Sequence, residues 1–282
     1  MTKGNEISAK TGLAFIGCGV MAESMIAGLL REKIVTPKQI AASHPRRDRR
    51  EELKKRYGIK VFADNAAAAR AFRGPDSAVV LCVKPQRMNA VLHELAGAVT
   101  AEQLVISIVA GATIGTIAET LDGRLVVRAM PNTPSQIGKG MTAWTCSADV
   151  DSGHKQMVKV LLSALGTELF VETENMIDMA TSLSATGPTY TFLVMEAMTD
   201  AGVHLGFSRE VSKELVLQTM LGSVLFAMES HKHPAELRNM VTSPGGTSAE
   251  AIYQMEKGAL RTVLSKAIYG AYRRAVELGK RK

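Results

Sequence analysis

Cysteine is scarce in this chain of 282 residues. It has three, Cys18, Cys82 and Cys146, which are odd in number and far apart. Such a set argues against a disulfide framework and lacks the spacing of a metal site. We therefore expect no bound metal and a reducing compartment, most simply the cytoplasm.

Aromatic residues are also few, at 5 % of the chain, and no nucleic-acid motif or aromatic stacking platform is present. The net charge of +7 comes mostly from scattered basic residues, apart from "HPRRDRR" at 44–50 and "GKRK" at the end. A scattered excess of this kind is typical of a solvated surface. We expect no nucleic-acid partner.

Long apolar runs are missing as well. The longest charge-free helical stretch, residues 215–228, is shorter than the ~20 residues that a bilayer requires. We expect it to form a helix that is buried against protein on most sides. The apolar run near the N-terminus is brief and leads into a glycine motif, which makes it a poor signal peptide. The sequence therefore predicts no membrane association.

The first part of the chain alternates short apolar runs with helical patterns. Helices are predicted at 21–31 and 46–57. Strands are predicted at 13–17, 39–43, 60–64, 77–83, 104–110 and 124–130, with further edge strands at 141–146 and 168–171. Several of these runs are almost continuously apolar, as expected for parallel strands covered on both faces. The pattern predicts an α/β fold with a doubly wound, mainly parallel sheet.

Strand signals stop after Glu172, and the rest of the chain predicts helices alone. The predicted helices cover a stretch from Pro188 to Leu205, 208–229, a short segment near Pro234, a segment after "SPGG" and 259–279. We therefore predict two domains, an α/β domain at 1–172 and an all-α domain at 173–282.

The stretch "LAFIGCGVMAESM" places Gly17, Gly19 and Ala22 in a G-x-G-x-x-A pattern between a strand and a helix. In dinucleotide-binding folds the first glycine permits the tight turn, and the second lets the backbone approach a pyrophosphate. The third position allows close packing of the helix on the strand. The helix N-terminus then offers free N–H groups to the phosphates. The alternative is an ordinary strand–helix turn.

The end of the second predicted strand bears on the choice between NAD and NADP. NAD sites usually place an acidic residue there, but no carboxylate precedes Asp48. Ser43, His44, Arg46 and Arg47 stand there instead. A hydroxyl and guanidinium groups suit a 2′-phosphate, which favours NADPH, with NADH as the alternative. The residues are also compatible with the solvated start of a surface helix.

Two further strand ends carry polar groups or prolines. In "LCVKP" at 81–85, Val83 is a candidate to pack on the cofactor and Lys84 to bind phosphate or lie near the nicotinamide. "MPNTP" at 130–134 places Asn132 and Thr133 between two prolines, and the sequence leaves their role open. The carboxyl edge of a parallel sheet is where such folds bind their ligands.

The loop "TSPGGTSAE" at 242–250 precedes a predicted helix. Thr247 and Glu250 have the spacing of a capping box, which predicts a helix start at Thr247 or Ser248. Gly245 and Gly246 allow unusual backbone conformations and close approach by a ligand. Free N–H groups, hydroxyls and a helix dipole suit a small carboxylate, although an ordinary capped helix would have the same pattern.

These residues resemble a known family. The motifs "FIGCGVMAESM", "VKP", "VAGATI", "MPNTP", "GPTY", "AGV" and "HPAELRNMVTSPGGTSAEAI" are similar to those of the pyrroline-5-carboxylate reductases. The resemblance runs from about Gly12 to Leu278. It implies NAD(P)H-dependent reduction of L-1-pyrroline-5-carboxylate to L-proline, the last step of proline biosynthesis. It also implies a Rossmann domain at 1–172 and an all-α dimerisation domain at 173–282.

The resemblance further implies an arrangement of subunits and of site residues. In that family, homodimers interlock through the helices, often assemble into decamers, and form each active site from two subunits. The pyrophosphate would be held by Ile16, Gly17, Cys18, Gly19, Val20 and Met21. Ser43 or His44 would lie near the adenosine ribose, with Asn65 beside it. Cys82, Val83, Lys84, Pro85, Val109 and Ala110 would line the ribose and nicotinamide. The substrate would be bound by Ser243, Gly245, Gly246, Thr247 and Ser248.

Some positions depart from the family pattern. Ser248 stands where the family has a threonine whose hydroxyl bonds the substrate nitrogen, and it keeps that hydroxyl. Thr186 and Thr189 replace smaller groups, which leaves the substrate range open. Alternatives are a reductase of another cyclic imine or an NADPH-binding regulatory protein without turnover. A β-hydroxy-acid dehydrogenase is disfavoured because no lysine lies early in the first long helix of the second domain.

Overall fold

A computed structural model describes residues 7–8, 10–123 and 125–280 of the chain. Its single sheet has eight strands in the order β3-β2-β1-β4-β5-β6-β7-β8. The strands are β1 Gly12–Ile16, β2 Ile40–Ser43, β3 Lys60–Phe62, β4 Ser77–Leu81, β5 Leu104–Ser107, β6 Val126–Pro131, β7 Gly140–Cys146 and β8 Gly166–Phe170. Each predicted strand is present, with shorter bounds in most cases. The predicted first residue of the sixth strand, Arg124, lies outside the described residues.

The first six strands are parallel and follow the order 3-2-1-4-5-6 of a doubly wound dinucleotide-binding sheet. The prediction of a mainly parallel, doubly wound sheet is therefore confirmed. The prediction that 141–146 forms an edge strand is wrong. β7 runs antiparallel to β6 and is covered on its other side by the parallel strand β8. A short 3₁₀ helix at Thr133–Ile137 joins β6 to β7 without a crossover, which makes the antiparallel pairing possible.

Two layers of helices cover the sheet. They are α1 Val20–Arg31, α2 Arg47–Tyr57, α3 Asn65–Ala69, α4 Met88–Leu95, α5 Ile114–Thr120, α6 Ser152–Ser163 and α7 Asn175–Ala180. Because side chains alternate across a strand, Leu13 and Phe15 of β1 belong to one buried cluster, while Ala14 and Ile16 belong to another. The continuous apolar pattern of the strands thus has its expected cause, since both faces of the sheet are covered.

The compact units of the chain do not divide where its composition changes. Described residues up to Thr186, together with those from Ala271 onward, form one unit, and Gly187–Gly270 form the other. The predicted boundary, after residue 172, lies before α7. Ile177 of α7 is fully buried in a cluster with Met130 and Val171, so this helix packs on the sheet. Helical periodicity predicts a helix but does not say which body the helix packs on.

The C-terminal part of the chain is all helical, as predicted. It contains α8 Gly187–His204, α9 Arg209–Ser230, α10 Pro234–Met240, α11 Thr247–Lys257 and α12 Leu260–Lys280. Within the second unit α8 and α9 pack closely. A Cβ added to Gly202 of α8 would lie only 2.6 Å from the hydroxyl of Ser212 of α9, so the contact has no room for a side chain at position 202. The last residues of α12 belong to the first unit.

The helix α9 is much more exposed than predicted. Only Ser212 and Val216 of its residues are buried, while Leu221 is 55 % and Phe226 52 % exposed. The prediction of burial on most sides is therefore wrong for the single chain, because an apolar composition does not say what covers each face of a helix. By length and composition alone, α9 is the one helix of the described residues that could cross a membrane.

Candidate cofactor and substrate sites

The turn after β1 forms the centre of the candidate cofactor site. Gly17 has a φ of +79°, and a Cβ added there would lie 2.4 Å from Cγ1 of Val83. A Cβ on Gly19 would instead meet only the carbonyl oxygen of Gly17, 4.0 Å away. Position 17 therefore needs glycine for its own conformation, whereas the space beside Gly19 is open to a ligand. No side chain caps the N-terminus of α1 that follows, so its N–H groups suit phosphate oxygens.

The six residues predicted around the pyrophosphate have different positions. Ile16 and Cys18 are fully buried in the core, whereas Val20 is 65 % exposed. Gly17, Gly19 and Met21 are all partly exposed. Neither Ile16 nor Cys18 is thus exposed to a ligand, and the Cys18 N–H already donates to the Ser43 carbonyl.

Ser43 binds the glycine turn from the buried side. Its side chain is fully buried. Its hydroxyl accepts a hydrogen bond from the Gly17 N–H at 3.1 Å and donates one to Oδ1 of Asn65 at 2.7 Å. The sequence interpretation gave this hydroxyl a direct role at a 2′-phosphate, but in the structure it has two protein partners and faces inward. Periodicity gave no indication of this, because the contacts join three strand ends.

The arginines of "HPRRDRR" differ in their partners, and Arg50 donates to the His44 and Pro45 carbonyls. The guanidinium of Arg49 is bound by Glu23 of α1 and by Glu52, and its side chain is only 12 % exposed. Burial alone would raise the pKa of Glu23, but hydrogen bonds from Arg49 and Tyr57 lower it below the ordinary value. These contacts fasten α2 to α1. Arg49 is therefore structural.

Arg46 and Arg47 are the members of this run that are open to an anion. Their side chains are 68 % and 85 % exposed, and their partners are the exposed residues Asp48 and Glu51. Burial lowers the pKa of His44, and its Nδ1 accepts a hydrogen bond from the Arg46 N–H. A neutral His44 has no charge to offer a phosphate, so any charge attraction comes from the two arginines.

The loops after β4 and β5 lie beside the glycine turn. The Cys82 N–H donates to the Ile16 carbonyl, and the Ile108 N–H donates to the Leu81 carbonyl. Lys84 and Pro85 are exposed, and Pro85 opens a 3₁₀ helix after the strand has ended. Val109 is 2 % exposed, so it faces the core, while Ala110 is partly exposed. The predicted residues are therefore brought to one edge of the sheet.

The two thiols near this edge are not nucleophiles. Burial raises the pKa of Cys18 to about 12 and raises the pKa of Cys82 well above its ordinary value. Both thiols are therefore protonated at neutral pH. Among the described residues, no group of three or more His, Cys, Asp and Glu side chains is placed to hold a metal ion.

A buried ion-pair cluster supports the loop after β5, and sequence reasoning missed it. Arg128 of β6 is 1 % exposed and binds Glu174 at 3.0 Å and Asp178 at 2.6 Å. Glu174 also accepts a hydrogen bond from the Ile114 N–H, where α5 begins. On the other side, a Cβ added to Gly111 would lie 2.8 Å from the backbone of Leu278. An arginine inside an apolar strand pattern was the available signal.

Asn132, whose role the sequence left open, connects two segments. Its Oδ1 accepts from the Met141 N–H at 2.9 Å, and its Nδ2 donates to the Ser184 carbonyl at 3.3 Å. Ser184 belongs to a π-helical segment, Thr181–Ala185. The hydroxyl of Thr186 donates to the Thr181 carbonyl and closes this segment, while Thr189 is exposed.

The loop at 243–248 forms the candidate substrate site. Gly245 has a φ of +68°, and a Cβ on Gly246 would lie 2.4 Å from Oγ of Ser243. The N-cap of α11 is Gly246, and no side chain caps it. The helix therefore starts at Thr247, as predicted, but Thr247 does not cap it in a capping box, because it is already the first helical residue. The first-turn N–H groups are left for a ligand.

Ser248 is the second residue of α11 and is partly buried. Within the described part of the chain, no hydrogen bond to its hydroxyl is formed. Ser243, Thr247 and Gly245 are exposed around it. The loop thus combines free N–H groups with hydroxyl groups, which suits a small anion that also carries a hydrogen-bonding nitrogen.

A doubly wound sheet with a glycine turn and exposed guanidinium groups, followed by an all-α part, defines a class of protein. It is a nicotinamide-dinucleotide-dependent oxidoreductase with a Rossmann domain. A family model described as "NADP oxidoreductase coenzyme F420-dependent" matches residues 12–111. A second, described as "Pyrroline-5-carboxylate reductase dimerisation", matches residues 174–278.

Relatives of known name cover nearly the whole chain. The pyrroline-5-carboxylate reductase of Pseudomonas aeruginosa is 42 % identical over 94 % of this chain and 96 % of its own. That of Synechocystis is 39 % identical over 95 % and 98 %. A crystal structure of the Plasmodium falciparum pyrroline carboxylate reductase with NADP bound is similar, with a TM-score of 0.87 and 30 % identity. It covers 96 % of this chain and 99 % of that one. The chain belongs to the pyrroline-5-carboxylate reductase family.

Proposed function

We propose that this protein reduces L-1-pyrroline-5-carboxylate to L-proline with NADPH as the hydride donor. The open turn at Gly17–Gly19, followed by the uncapped N-terminus of α1, supports dinucleotide binding. The uncapped loop before α11 supports binding of a small carboxylate. We assign cofactor binding to residues 1–172, and dimerisation and substrate binding to residues 173–282.

The chemistry requires little of the side chains. A cyclic imine, and more so its iminium form, is already electrophilic, and the nicotinamide supplies the hydride. The N–H groups and hydroxyls of 243–248 hold the substrate carboxylate, and Ser248 orients the ring nitrogen. The reaction is thus promoted by positioning, which can supply a large share of the lowering of a barrier.

The direct test is oxidation of NADPH, followed by its absorbance, with pyrroline-5-carboxylate as substrate. We expect turnover that yields proline, and slower turnover with a six-membered cyclic imine. A preference for the six-membered ring would favour the alternative imine reductase. Binding of NADPH without oxidation by either substrate would favour a regulatory protein.

Replacement of Ser248 by alanine tests its role at the substrate. We expect kcat/KM for pyrroline-5-carboxylate to fall about 10- to 100-fold, because a hydrogen bond to a charged group is lost. The affinity for NADPH, measured by fluorescence, should stay unchanged. Ser248→Thr keeps the hydroxyl and should retain most of the activity. Wild-type kinetics for Ser248→Ala would exclude this role.

The double variant Arg46→Ala/Arg47→Ala tests cofactor preference. We expect KM for NADPH to rise about 10-fold or more while KM for NADH changes little, because only NADPH carries the 2′-phosphate. The matched control is Lys54→Ala/Lys55→Ala, which removes the same charge from exposed positions of α2. An equal effect of both double variants would mean that general charge attraction, rather than these two side chains, selects the cofactor.

We also propose a cytoplasmic homodimer as the minimal unit, with a decamer as a higher assembly. The second unit exposes apolar side chains on both of its long helices, among them Phe192, Leu193, Leu221, Leu225 and Phe226. Large exposed apolar patches of this kind mark interaction sites. Because α9 also carries several charged residues, we assign this face to a second copy of the chain and not to a membrane.

A further inference from the structure

A chain of three hydrogen bonds runs from the glycine turn to the surface of α4. The Gly17 N–H donates to Oγ of Ser43 at 3.1 Å, and this hydroxyl donates to Oδ1 of Asn65 at 2.7 Å. Nδ2 of Asn65 donates to a carboxylate oxygen of Glu94 at 2.6 Å. These bonds therefore join the ends of β1 and β2 to the start of α3 and the last turn of α4. Glu94 has no role in the assignments above.

The direction of this chain is set at its outer end. An ionised carboxylate can only accept hydrogen bonds, so Asn65 must turn its NH₂ group toward Glu94. Its carbonyl oxygen then faces Ser43. The Ser43 hydroxyl has one proton, and it donates that proton to this oxygen, which leaves a lone pair for the Gly17 N–H.

Reversing the amide of Asn65 would have a cost at Gly17. The NH₂ group would then face the Ser43 hydroxyl and require an acceptor there. The Ser43 oxygen has two lone pairs and could accept from both Asn65 and the Gly17 N–H, but its own proton would then lose its acceptor inside a fully buried side chain. A buried hydroxyl proton without an acceptor is destabilising, and rotating the Ser43 side chain to find another acceptor would break the hydrogen bond that holds the Gly17 N–H in the turn.

We propose that Glu94 is a positioning residue for cofactor binding, which acts through Asn65 and Ser43 on the glycine turn. The proposal rests on the assignment of NADPH to this turn. Because Glu94 is exposed and lies on a helix outside the glycine motif, its contribution could not be inferred from that motif.

The test compares Glu94→Ala with Glu94→Gln in the full-length protein. Alanine removes the acceptor, whereas glutamine keeps an acceptor oxygen for Asn65. We expect the Kd for NADPH, measured by fluorescence without substrate, to rise about fivefold in Glu94→Ala and to stay within about twofold of wild type in Glu94→Gln. At saturating NADPH, kcat should be unchanged. Glu102→Ala, at an exposed position away from this chain of bonds, is the control and should bind NADPH normally.

A double-variant cycle shows whether Glu94 acts through Ser43. If it does, Glu94→Ala should weaken binding much less in the Ser43→Ala background than in wild type. Additive effects, or unchanged or tighter binding of NADPH by Glu94→Ala, would overturn the proposal. So would a fall in kcat and thermal stability that Glu94→Gln does not restore. NADPH binding is measured without substrate. The test of Glu94 therefore stays valid even if the protein does not turn over pyrroline-5-carboxylate.

Discussion

Gly19→Val is expected to abolish useful NADPH binding while the protein stays folded. The φ of Gly19 is −86°, which any residue adopts, and an added Cβ would touch no protein atom closer than 4.0 Å. The side chain would instead occupy the space through which a diphosphate approaches the N-terminus of α1. We expect the Kd for NADPH, measured by fluorescence, to rise about 100-fold or more, equivalent to about 2.7 kcal/mol.

Gly28→Ala is the control, for which we expect lower stability with NADPH binding retained. A Cβ at position 28 would lie 2.7 Å from the carbonyl oxygen of Ala164, so this variant should lower the melting temperature. Its folded fraction should still bind NADPH, because Gly28 is far along α1 from the turn. If Gly19→Val bound NADPH like wild type, the turn would not be the diphosphate site.

Arg128→Met is expected to be the most destabilising of the proposed substitutions. The guanidinium is 1 % exposed, whereas Glu174 and Asp178 are 32 % and 16 % exposed. Removing one partner of a buried ion pair leaves the remaining charge without compensation. Here the carboxylates of Glu174 and Asp178 would lose the cation that they share. We expect a loss of about 3 kcal/mol in the free energy of unfolding, measured by urea denaturation.

The matched control is Arg209→Met, which breaks an exposed pair with Asp200 at 2.8 Å. Exposed pairs contribute little, so its effect should be below about 1 kcal/mol. Equal losses in the two variants would show that the buried cluster has no special role. Because Glu174 also holds the Ile114 N–H, the surviving folded Arg128→Met protein should show a raised KM for NADPH.

Local signals in the sequence predicted most elements of the fold. Continuous apolar runs such as that of β4 predict buried parallel strands, because both of their faces are covered. The spacing of Gly17, Gly19 and Ala22 predicted the turn, since each position has its own steric requirement. The helices α8, α9 and α11 begin within about one residue of their predicted starts, because their glycine, proline and serine signals are local.

Contacts between distant segments were not predictable in the same way. Nothing in the sequence indicates that Ser43 would turn inward to Gly17 and Asn65, or that Glu23 would bind Arg49 and leave Arg46 open. Three other contacts between distant segments were equally unpredictable. They are the pairing of β7 with both β6 and β8, the packing of α7 on the sheet and the buried partners of Arg128.

By itself, then, the sequence determined which segments are strands, helices and glycine turns, because periodicity and backbone conformation are properties of neighbouring residues. The tertiary structure alone decided which polar groups face a ligand and which are used up by protein partners. The physical reason is that a hydrogen bond or ion pair depends on distance in space, which the order of residues along the chain does not contain.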